Sequence, residues 1–472
     1  MTTVREAAQP GDDADDGRDR APKGVHDMTR GSVRGHVVRM TLFVLAGLAI
    51  QTLYALVDIY WVGRLGKQAV AAVALSSNLG FAALAVTQML SVGCVALVSQ
   101  AAGKKDHAEV QRLFNQAQSL SAFAGAAFLT VGLAVRRTYV ERLSPDAHTA
   151  ELASTFLLTF IPALALQFTM VGLGSTLRGI GDMKPGLVAQ IASVLLNMLL
   201  APFLVFGWVT GRPLGVAGAS IATLVSTAAA IVGLVVYLAR GDTFLRVKVS
   251  EWWPDLAVWR RMVGIGLPAG TEFLLMTLIF GVIYVVARPF GAHVQAGFGV
   301  GSRLVQAGFM PAVALSFASA AVVGQNYGSR EYARVREAAR EATKLVVAVM
   351  LVFTVACHVA PEALMRLFTD EPGVVAAGVD YLETISYAYV ASGIVFTAAG
   401  VFQGLGNTWP SLMASGARAL AFVGVVLWLS RRTGFAIHTV WVVSVSAGLL
   451  QLALQLTLLR RELRLKAPLS GG

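Results

Sequence analysis

Long apolar runs separated by short polar segments make up most of the chain from Met40 onward. Twelve of these runs have the length that crosses a bilayer as an α-helix, which takes about 20 residues. Helices are required because an open sheet cannot satisfy its backbone hydrogen bonds in lipid. The predicted spans are 40–62, 74–101, 117–136, 151–177, 186–209, 215–239, 262–287, 302–324, 343–361, 379–402, 410–430 and 434–459.

An internal repeat relates the two halves of the chain. Residues 96–110 (ALVSQAAGKKDHAEV) align without a gap on 321–335 (AVVGQNYGSREYARV), and six of the fifteen positions are identical. Residues 179–187 (GIGDMKPGL) align on 404–412 (GLGNTWPSL) at the same offset of 225 residues. Six predicted helices fall within one offset, so the halves are related by an axis along the membrane normal. Parallel repeats of this kind occur in secondary transporters, whose substrate site lies between the two lobes.

The repeat and the polar segments together predict the domain organisation. Residues 1–30 are rich in Asp, Gly and Arg and poor in large apolar residues, which is typical of disorder. The predicted units are a disordered cytoplasmic tail over 1–35, a first lobe over 36–240, an inter-lobe linker over 241–261, a second lobe over 262–460 and a C-terminal tail over 461–472. The expected fold class is an all-α polytopic membrane protein of two homologous six-helix bundles.

Composition and charge agree with a membrane protein and exclude two other classes. The chain is 56% hydrophobic and 14% charged, whereas soluble domains carry about 25% charged residues. The net charge of +11 does not predict nucleic-acid binding, because acids and bases cancel in the tail and the basic excess lies on short loops. No phosphate loop, HExxH or paired-cysteine motif is present in the sequence, so we expect neither an enzyme nor a cofactor.

The distribution of Lys and Arg predicts the orientation. With the N-terminus inside, inner segments beyond the tail hold 19 of these residues and outer segments hold 11. Cytoplasmic loops carry such an excess. We therefore expect a multi-pass protein of the plasma (inner) membrane with both termini in the cytoplasm. Without an ATPase motif, its energy source would be an ion gradient or the gradient of the substrate.

Asp58 is the first candidate for function, because carboxylates at membrane depth are costly and usually functional. It has apolar neighbours and lies several residues before the loop at Arg64. The alternative is an outer-end residue that pairs with Arg64 or stays solvated. Tyr54 precedes Asp58 by four residues and therefore lies on the same helix face, although a lone tyrosine is more often an interfacial aromatic.

Further polar residues interrupt the apolar runs. Glu272 near the start of the seventh span is interpreted either as a cavity residue or as a helix-start carboxylate. Arg418 is interpreted as a counter-charge for a carboxylate, as a substrate contact or as a snorkelling side chain. Asn197 should face the bundle interior, as a functional group or as a polar contact between helices. Gln100 and Gln325 end matching helices and are expected to satisfy backbone ends.

Several of these segments together resemble one transporter family. They are LVDIYWVGRLG around Asp58, the pair SQAAGKKD and GQNYGSRE, the turn GSTLRGIGDMKP, Asn197 and GVAGASIAT. The combination resembles the multidrug and toxic compound extrusion (MATE) transporters, and in particular their bacterial DinF-like members, over about residues 38–460. The resemblance implies two six-helix bundles in a V around a cleft, and export of organic, often cationic, compounds in exchange for H+ or Na+.

The resemblance also implies roles for individual residues. Asp58 occupies the position of the family's coupling carboxylate, and Tyr54, Asn197 and Thr223 occupy positions that accompany it. Protonation or ion binding at this cluster would bend the first helix and expel the substrate. A Na+ site at Asp58 and Asn197 is the alternative to proton coupling, and no metal site is otherwise expected.

The chain departs from the family pattern at three acidic positions. Ala201 stands where many members have an aspartate, Ser392 stands near the second-lobe aspartate of sodium-coupled relatives, and Leu278 stands at their seventh-helix glutamate. Since Na+ needs several oxygen ligands, H+ is the favoured coupling ion. Ser392, like Glu272 and Arg418, remains a candidate for the cavity or for coupling.

The substrate itself cannot be read from the sequence. The candidate wall residues, which at helical spacing are more often core or lipid-facing, are Met89, Phe168, Met170, Phe309 and Met310. Expected partners are the lipid bilayer and small organic substrates, with no nucleic acid, and the family expectation is a monomer. Two other functions stay open, namely a flippase for a lipid-linked or amphipathic substrate and a non-transporting membrane scaffold or sensor.

Overall fold

The computed structural model describes residues 26–208, 211–241 and 243–468, and within these ranges the chain folds into α-helices without a β-strand. The first lobe contains α1 Val33–Gly63, α2 Lys67–Gly103, α3 His107–Leu143, α4 Ala147–Gly179, α5 Lys184–Phe206 and α6 Val216–Arg240. The second lobe contains α7 Leu256–Ala287, α8 Ala292–Gly328, α9 Tyr332–Val359, α10 Pro361–Arg366, α11 Pro372–Ser386, α12 Tyr389–Gly404, α13 Trp409–Leu429 and α14 Ile437–Lys466.

The prediction of twelve membrane spans in an all-α fold is confirmed for the described residues. Eleven single helices are long and apolar enough to cross a bilayer, and the pair α11 and α12 makes a twelfth span that is bent by 58°. The tenth predicted span, 379–402, is therefore a broken helix. The hydroxyl of Thr354, which lies 2.8 Å from the carbonyl of Met350 in its own helix, also lies 3.3 Å from the carbonyl of Ser386 at the break.

Three predicted boundaries differ from the structure. Helix α1 begins at Val33, inside the predicted tail 1–35, and α7 begins at Leu256, inside the predicted linker 241–261. Helix α14 continues to Lys466, so the predicted C-terminal tail 461–472 begins as helix. Within the N-terminal tail, residues 26–32 pack on the helices, and Met28 is fully buried. Residues 1–25 and 469–472 lie outside the described residues, and the tail prediction stands untested there.

Both described ends of the chain lie at one face of the molecule, together with alternate connections between consecutive helices. We call this surface the terminal face, and its connections are 104–106, 180–183, 243–255, 329–331 and 405–408. The N-terminal segment joins the two lobes there. The backbone N–H of His26 donates to Ile180 of the first lobe at 3.1 Å, and that of Met28 donates to Gln325 Oε1 of the second at 3.0 Å.

Helices α2 and α8 meet at the terminal face in a pseudo-symmetric contact between the lobes. A Cβ on Gly103 would lie 1.9 Å from the carbonyl oxygen of Gln325, and one on Gly328 would lie 2.0 Å from that of Gln100. Only glycine permits this approach. Gln100 Nε2 donates across the lobes to the carbonyl of Gly404 at 2.9 Å, and Gln325 Nε2 donates to that of Gly179 at 3.1 Å. The glutamines thus satisfy helix ends in the opposite lobe.

The lobes separate toward the other face. Helix α2 is buried from Leu90 to Gly103 at every position except the half-buried Gln100, whereas residues 67–82 are mostly exposed. Close contacts between α2 and α7 occur in the buried half, where Gly93 faces the backbone of Met262. The cleft between the lobes therefore opens away from the terminal face.

The inter-lobe linker docks on the start of α3. Gln116 Nε2 donates to the carbonyls of Glu251 at 2.8 Å and Trp253 at 2.9 Å, and its Oε1 accepts from the backbone N–H of Asp255 at 2.9 Å. Asp255 caps α7 by accepting from two backbone N–H groups. The guanidinium of Arg112 hydrogen-bonds this carboxylate and holds its pKa below the usual range.

Gln116→Ala is expected to free the linker without unfolding either lobe. The substitution removes three hydrogen bonds to the linker backbone, each worth about 1 kcal/mol. Limited proteolysis in detergent should cut residues 243–255 faster than in the wild type. Gln295→Ala, which removes a single bond to the Tyr284 carbonyl elsewhere in the fold, is the control. Equal cleavage rates for all three proteins would contradict the docking role.

Candidate functional site

Thr223 on α6 is the centre of a polar cluster in the first lobe. Its hydroxyl lies 2.8 Å from Tyr54 Oη on α1 and 3.3 Å from Asn197 Nδ2 on α5, and it donates to the carbonyl of Ala219 at 3.2 Å. A threonine hydroxyl has one hydrogen and two lone pairs. Because the hydrogen goes to Ala219, both lone pairs accept from Tyr54 and Asn197. Three of the four residues implied by the family motif therefore lie in direct contact.

Asp58 lies one helical turn from Tyr54 and close enough for its charge to act on the tyrosine hydroxyl. Its Oδ1 is buried and has no hydrogen-bond partner among the described residues. The alternative of an ion pair with Arg64 is not what the structure shows, because Arg64 instead donates to the hydroxyl of Tyr60 at 2.5 Å. Neither the Tyr54 hydroxyl, which pairs with Thr223, nor the Asn197 amide hydrogen-bonds Asp58 Oδ1 in the described residues.

A buried carboxylate oxygen without a donor is costly when the group is ionised, and the cost is removed by a proton or a bound cation. The arrangement around Asp58 is therefore suited to binding and releasing a small positive charge. Helix α1 carries both Asp58 and Tyr54, while Asn197 and Thr223 lie on α5 and α6. A change of charge at Asp58 therefore acts at the contact of α1 with α5 and α6.

The three second-lobe candidates are separate from this cluster. Glu272 on α7 lies beside the hydroxyls of Ser411 and Ser415 on α13, and its Oε1 is buried without a hydrogen-bond partner in the described chain. Arg418 donates to Gln451 Oε1 at 3.1 Å. Ser392 lies half-buried in the first turn of α12. No hydrogen bond or ion pair in the described parts joins Glu272 directly to Arg418.

The five candidate wall residues divide between the interface and the lobe interiors. Met89 packs where α2 crosses Gly270 of α7, and Met310 Sδ lies 4.0 Å from the hydroxyl of Thr52 on α1. Both therefore lie between the lobes. Phe168, a candidate for the cleft wall, is instead a core residue, because its ring is fully buried against Phe128. The two remaining side chains are partly buried: Met170 packs on a cluster of mainly first-lobe residues, and Phe309 contacts the rings of Tyr389 and Phe396.

Sequence reasoning missed two features. Arg178, interpreted only as a topology-setting charge, donates to the hydroxyl of Ser91 at 2.6 Å and lies 5.3 Å from the ring centre of Phe317 in the other lobe. Gln451 and Gln455 of α14 bond the serines of α13. The sequence did contain a signal for these two glutamines, since two amides four residues apart within an apolar run share one helix face.

Thr223→Val is expected to weaken the cluster around Tyr54. The change removes the acceptor of two hydrogen bonds and leaves polar groups unpaired, which costs about 1–3 kcal/mol for each group that stays buried. The thermal unfolding temperature should fall, and so should any gradient-driven export. Thr227→Val, one turn further along α6, is the matched control. If both variants behave alike, Thr223 has no special role.

Comparisons with known proteins agree with the two-lobed architecture described above. The MatE family model matches residues 44–203 and 268–428, one copy in each lobe. Among curated proteins, the chain is similar to "Probable multidrug resistance protein YpnP" of Bacillus subtilis, at 28% identity over 90% of this chain and 92% of that protein. It is also similar to "Multidrug export protein MepA" of Staphylococcus haemolyticus, at 22% identity over 84% of this chain and 87% of that protein.

Solved structures show the same fold. A MOP superfamily transporter from Pyrococcus furiosus superposes with a TM-score of 0.86 at 22% identity, over 95% of this chain and 99% of that one. A multidrug resistance MATE family transporter in an outward-facing conformation superposes with a TM-score of 0.87 at 22% identity, over the same shares of the two chains.

Proposed function

This chain belongs to the MATE family of transporters, and we propose that it is a secondary antiporter that exports organic, often cationic, compounds in exchange for protons. The family model covers more than half of the chain. The relatives named above are multidrug resistance and export proteins, which supports multidrug efflux. The observation that carries the coupling proposal is the buried, unpartnered Oδ1 of Asp58 beside Tyr54.

Protons are favoured over Na+ by the ligands that the cluster offers. A hard cation needs several oxygen ligands. Both lone pairs of Thr223 are already used by Tyr54 and Asn197. Asp58 is then the one carboxylate at this cluster, and a single proton is enough to neutralise it. Na+ binding would require Tyr54 and Thr223 to exchange their mutual hydrogen bond for the ion.

Alternating access follows from the lobe contacts. We place the terminal face in the cytoplasm, on the excess of Lys and Arg in the segments assigned to that side. The structure then has its cleft open to the outside and its cytoplasmic side closed by α2 and α8. In this state Asp58 takes up a proton, which removes the charge beside Tyr54 and lets α1 repack on α5 and α6. The repacking would narrow the cleft and release the exported compound.

Transport in proteoliposomes tests the proposal. Ethidium accumulation over encapsulated DNA would be followed with a pH gradient alone and then with a Na+ gradient alone. The proposal requires accumulation with the pH gradient in Na+-free buffer. Accumulation with Na+ alone would overturn proton coupling. Movement of a fluorescent lipid-linked probe without ethidium movement would instead favour the flippase alternative.

A further inference from the structure

Arg418 lies in the middle of α13, on the side that packs against the protein. Three exposed residues spaced seven apart mark the lipid-facing side of this helix, namely Met413, Leu420 and Leu427. Arg418 lies near the opposite side, where Ser411 and Phe422 are buried. Since helix positions repeat every 3.6 residues, the guanidinium is directed into the second lobe. Snorkelling toward the lipid headgroups is therefore not its role.

The guanidinium has one neutral hydrogen-bond partner and no acidic one in the described part of the chain. Its Nη1 donates to Gln451 Oε1 at 3.1 Å, and Gln451 in turn donates to Ser415 at 2.9 Å. Among titratable groups, the hydroxyl of Tyr381 lies near the guanidinium. Glu272 lies beside Ser415, and its Oε1 has no hydrogen-bond partner in the described residues. Of the alternatives raised by the sequence, an ion pair between Arg418 and a carboxylate is not found among the described residues.

The remaining donors of Arg418 are open to a ligand. A guanidinium has five N–H donors, and one bond uses one of them. Unpartnered nitrogens of Arg136 and Arg178 are fully buried. Those of Arg418 are not among the fully buried unpartnered atoms, and the residue as a whole is partly exposed. The site is therefore a fixed cation with free donors at membrane depth.

We propose that Arg418 binds the carboxylate of a transported compound, so that the second lobe recognises an acid group on zwitterionic or anionic substrates. A planar guanidinium matches a carboxylate in a bidentate geometry, and the bond is strong where water is scarce. Asp58 gives the first lobe a site for positive charge, and Arg418 gives the second lobe a site for negative charge. The inference deepens the proposed export function and depends on it for its biological meaning.

A matched pair of fluorescent dyes tests this site. Rhodamine 19 carries a free carboxylate, and rhodamine 6G is its ethyl ester. Binding of each to the purified protein in phosphatidylcholine nanodiscs would be measured by fluorescence polarisation, without any gradient. We expect the wild type to bind the acid more tightly than the ester, and Arg418→Gln to shift the ratio of the two dissociation constants by about tenfold toward the ester. Arg418→Lys keeps the charge and should restore part of the preference.

Arg432→Gln is the control, because Arg432 lies beyond the end of α13 over the ring of Trp428. Equal binding of the two dyes by the wild type would overturn the proposal, even if a variant failed to fold. An equal loss for both dyes in Arg418→Gln would also overturn it, in favour of a structural role. If phosphatidylglycerol in the nanodiscs removes the preference, the oxyanion bound is a lipid headgroup and the assignment to a transported carboxylate is wrong. Because these binding measurements use no ion gradient, they test the carboxylate site even if the protein shows no ion-coupled export.

Discussion

Asp58→Asn is expected to abolish proton-driven export while the protein still folds and binds substrate. The amide has nearly the shape of the carboxyl group but cannot take up or release a proton. It therefore imitates the protonated state, and the charge beside Tyr54 never returns. Ethidium accumulation driven by a pH gradient should fall to the level of empty liposomes. Ethidium binding in detergent should remain measurable.

Two further variants make this result specific. Asp58→Glu keeps a titratable group and should retain part of the transport. Asp370→Asn removes an exposed carboxylate of the second lobe, in the connection before α11, and should transport like the wild type. Normal gradient-driven export by Asp58→Asn would show that this carboxylate does not couple the ion, although membership of the family would be unaffected.

Gly103→Leu is expected to prevent closure of the terminal face. Even a Cβ at this position would lie 1.9 Å from the carbonyl oxygen of Gln325, so a leucine must push α2 and α8 apart. Ordinary helix pairs pack at about 8–10 Å between axes, and we expect a separation that grows by a few ångströms. Export should be lost, because the state open to the opposite face can no longer form.

The separation is measurable between spin labels on Ala108→Cys and Ala333→Cys, two exposed positions that correspond in the repeat. The native cysteines, Cys94 and Cys357, are buried and would be replaced. Gly80→Leu lies on the same helix with open space around its Cβ, so it serves as the control. A distance distribution in Gly103→Leu that matches both the control and the unsubstituted protein would refute the gate role of this contact.

The first-lobe cluster was largely predictable from sequence. Asp58 and Tyr54 share one helix face by their spacing alone. Asn197 and Thr223 required the family motif, because nothing in the spacing relates α5 and α6 to α1. The structure then brought Tyr54, Asn197 and Thr223 together through one hydroxyl. Phe168 shows the limit of such reasoning, since an aromatic residue in an apolar helix can face the core, the cleft or lipid.

The sequence by itself determined the twelve spans and the two-fold repeat. The reason is that a bilayer imposes a local requirement, a long apolar helix, that each segment meets alone. The tertiary structure alone decided which polar groups meet, because this depends on how each helix is rotated and packed. That packing set Gln100 against Gly404 in the other lobe. It also left Arg418 beside Gln451 without an acid. Contacts between distant segments leave no periodic trace along the chain, and the function of this transporter depends on them.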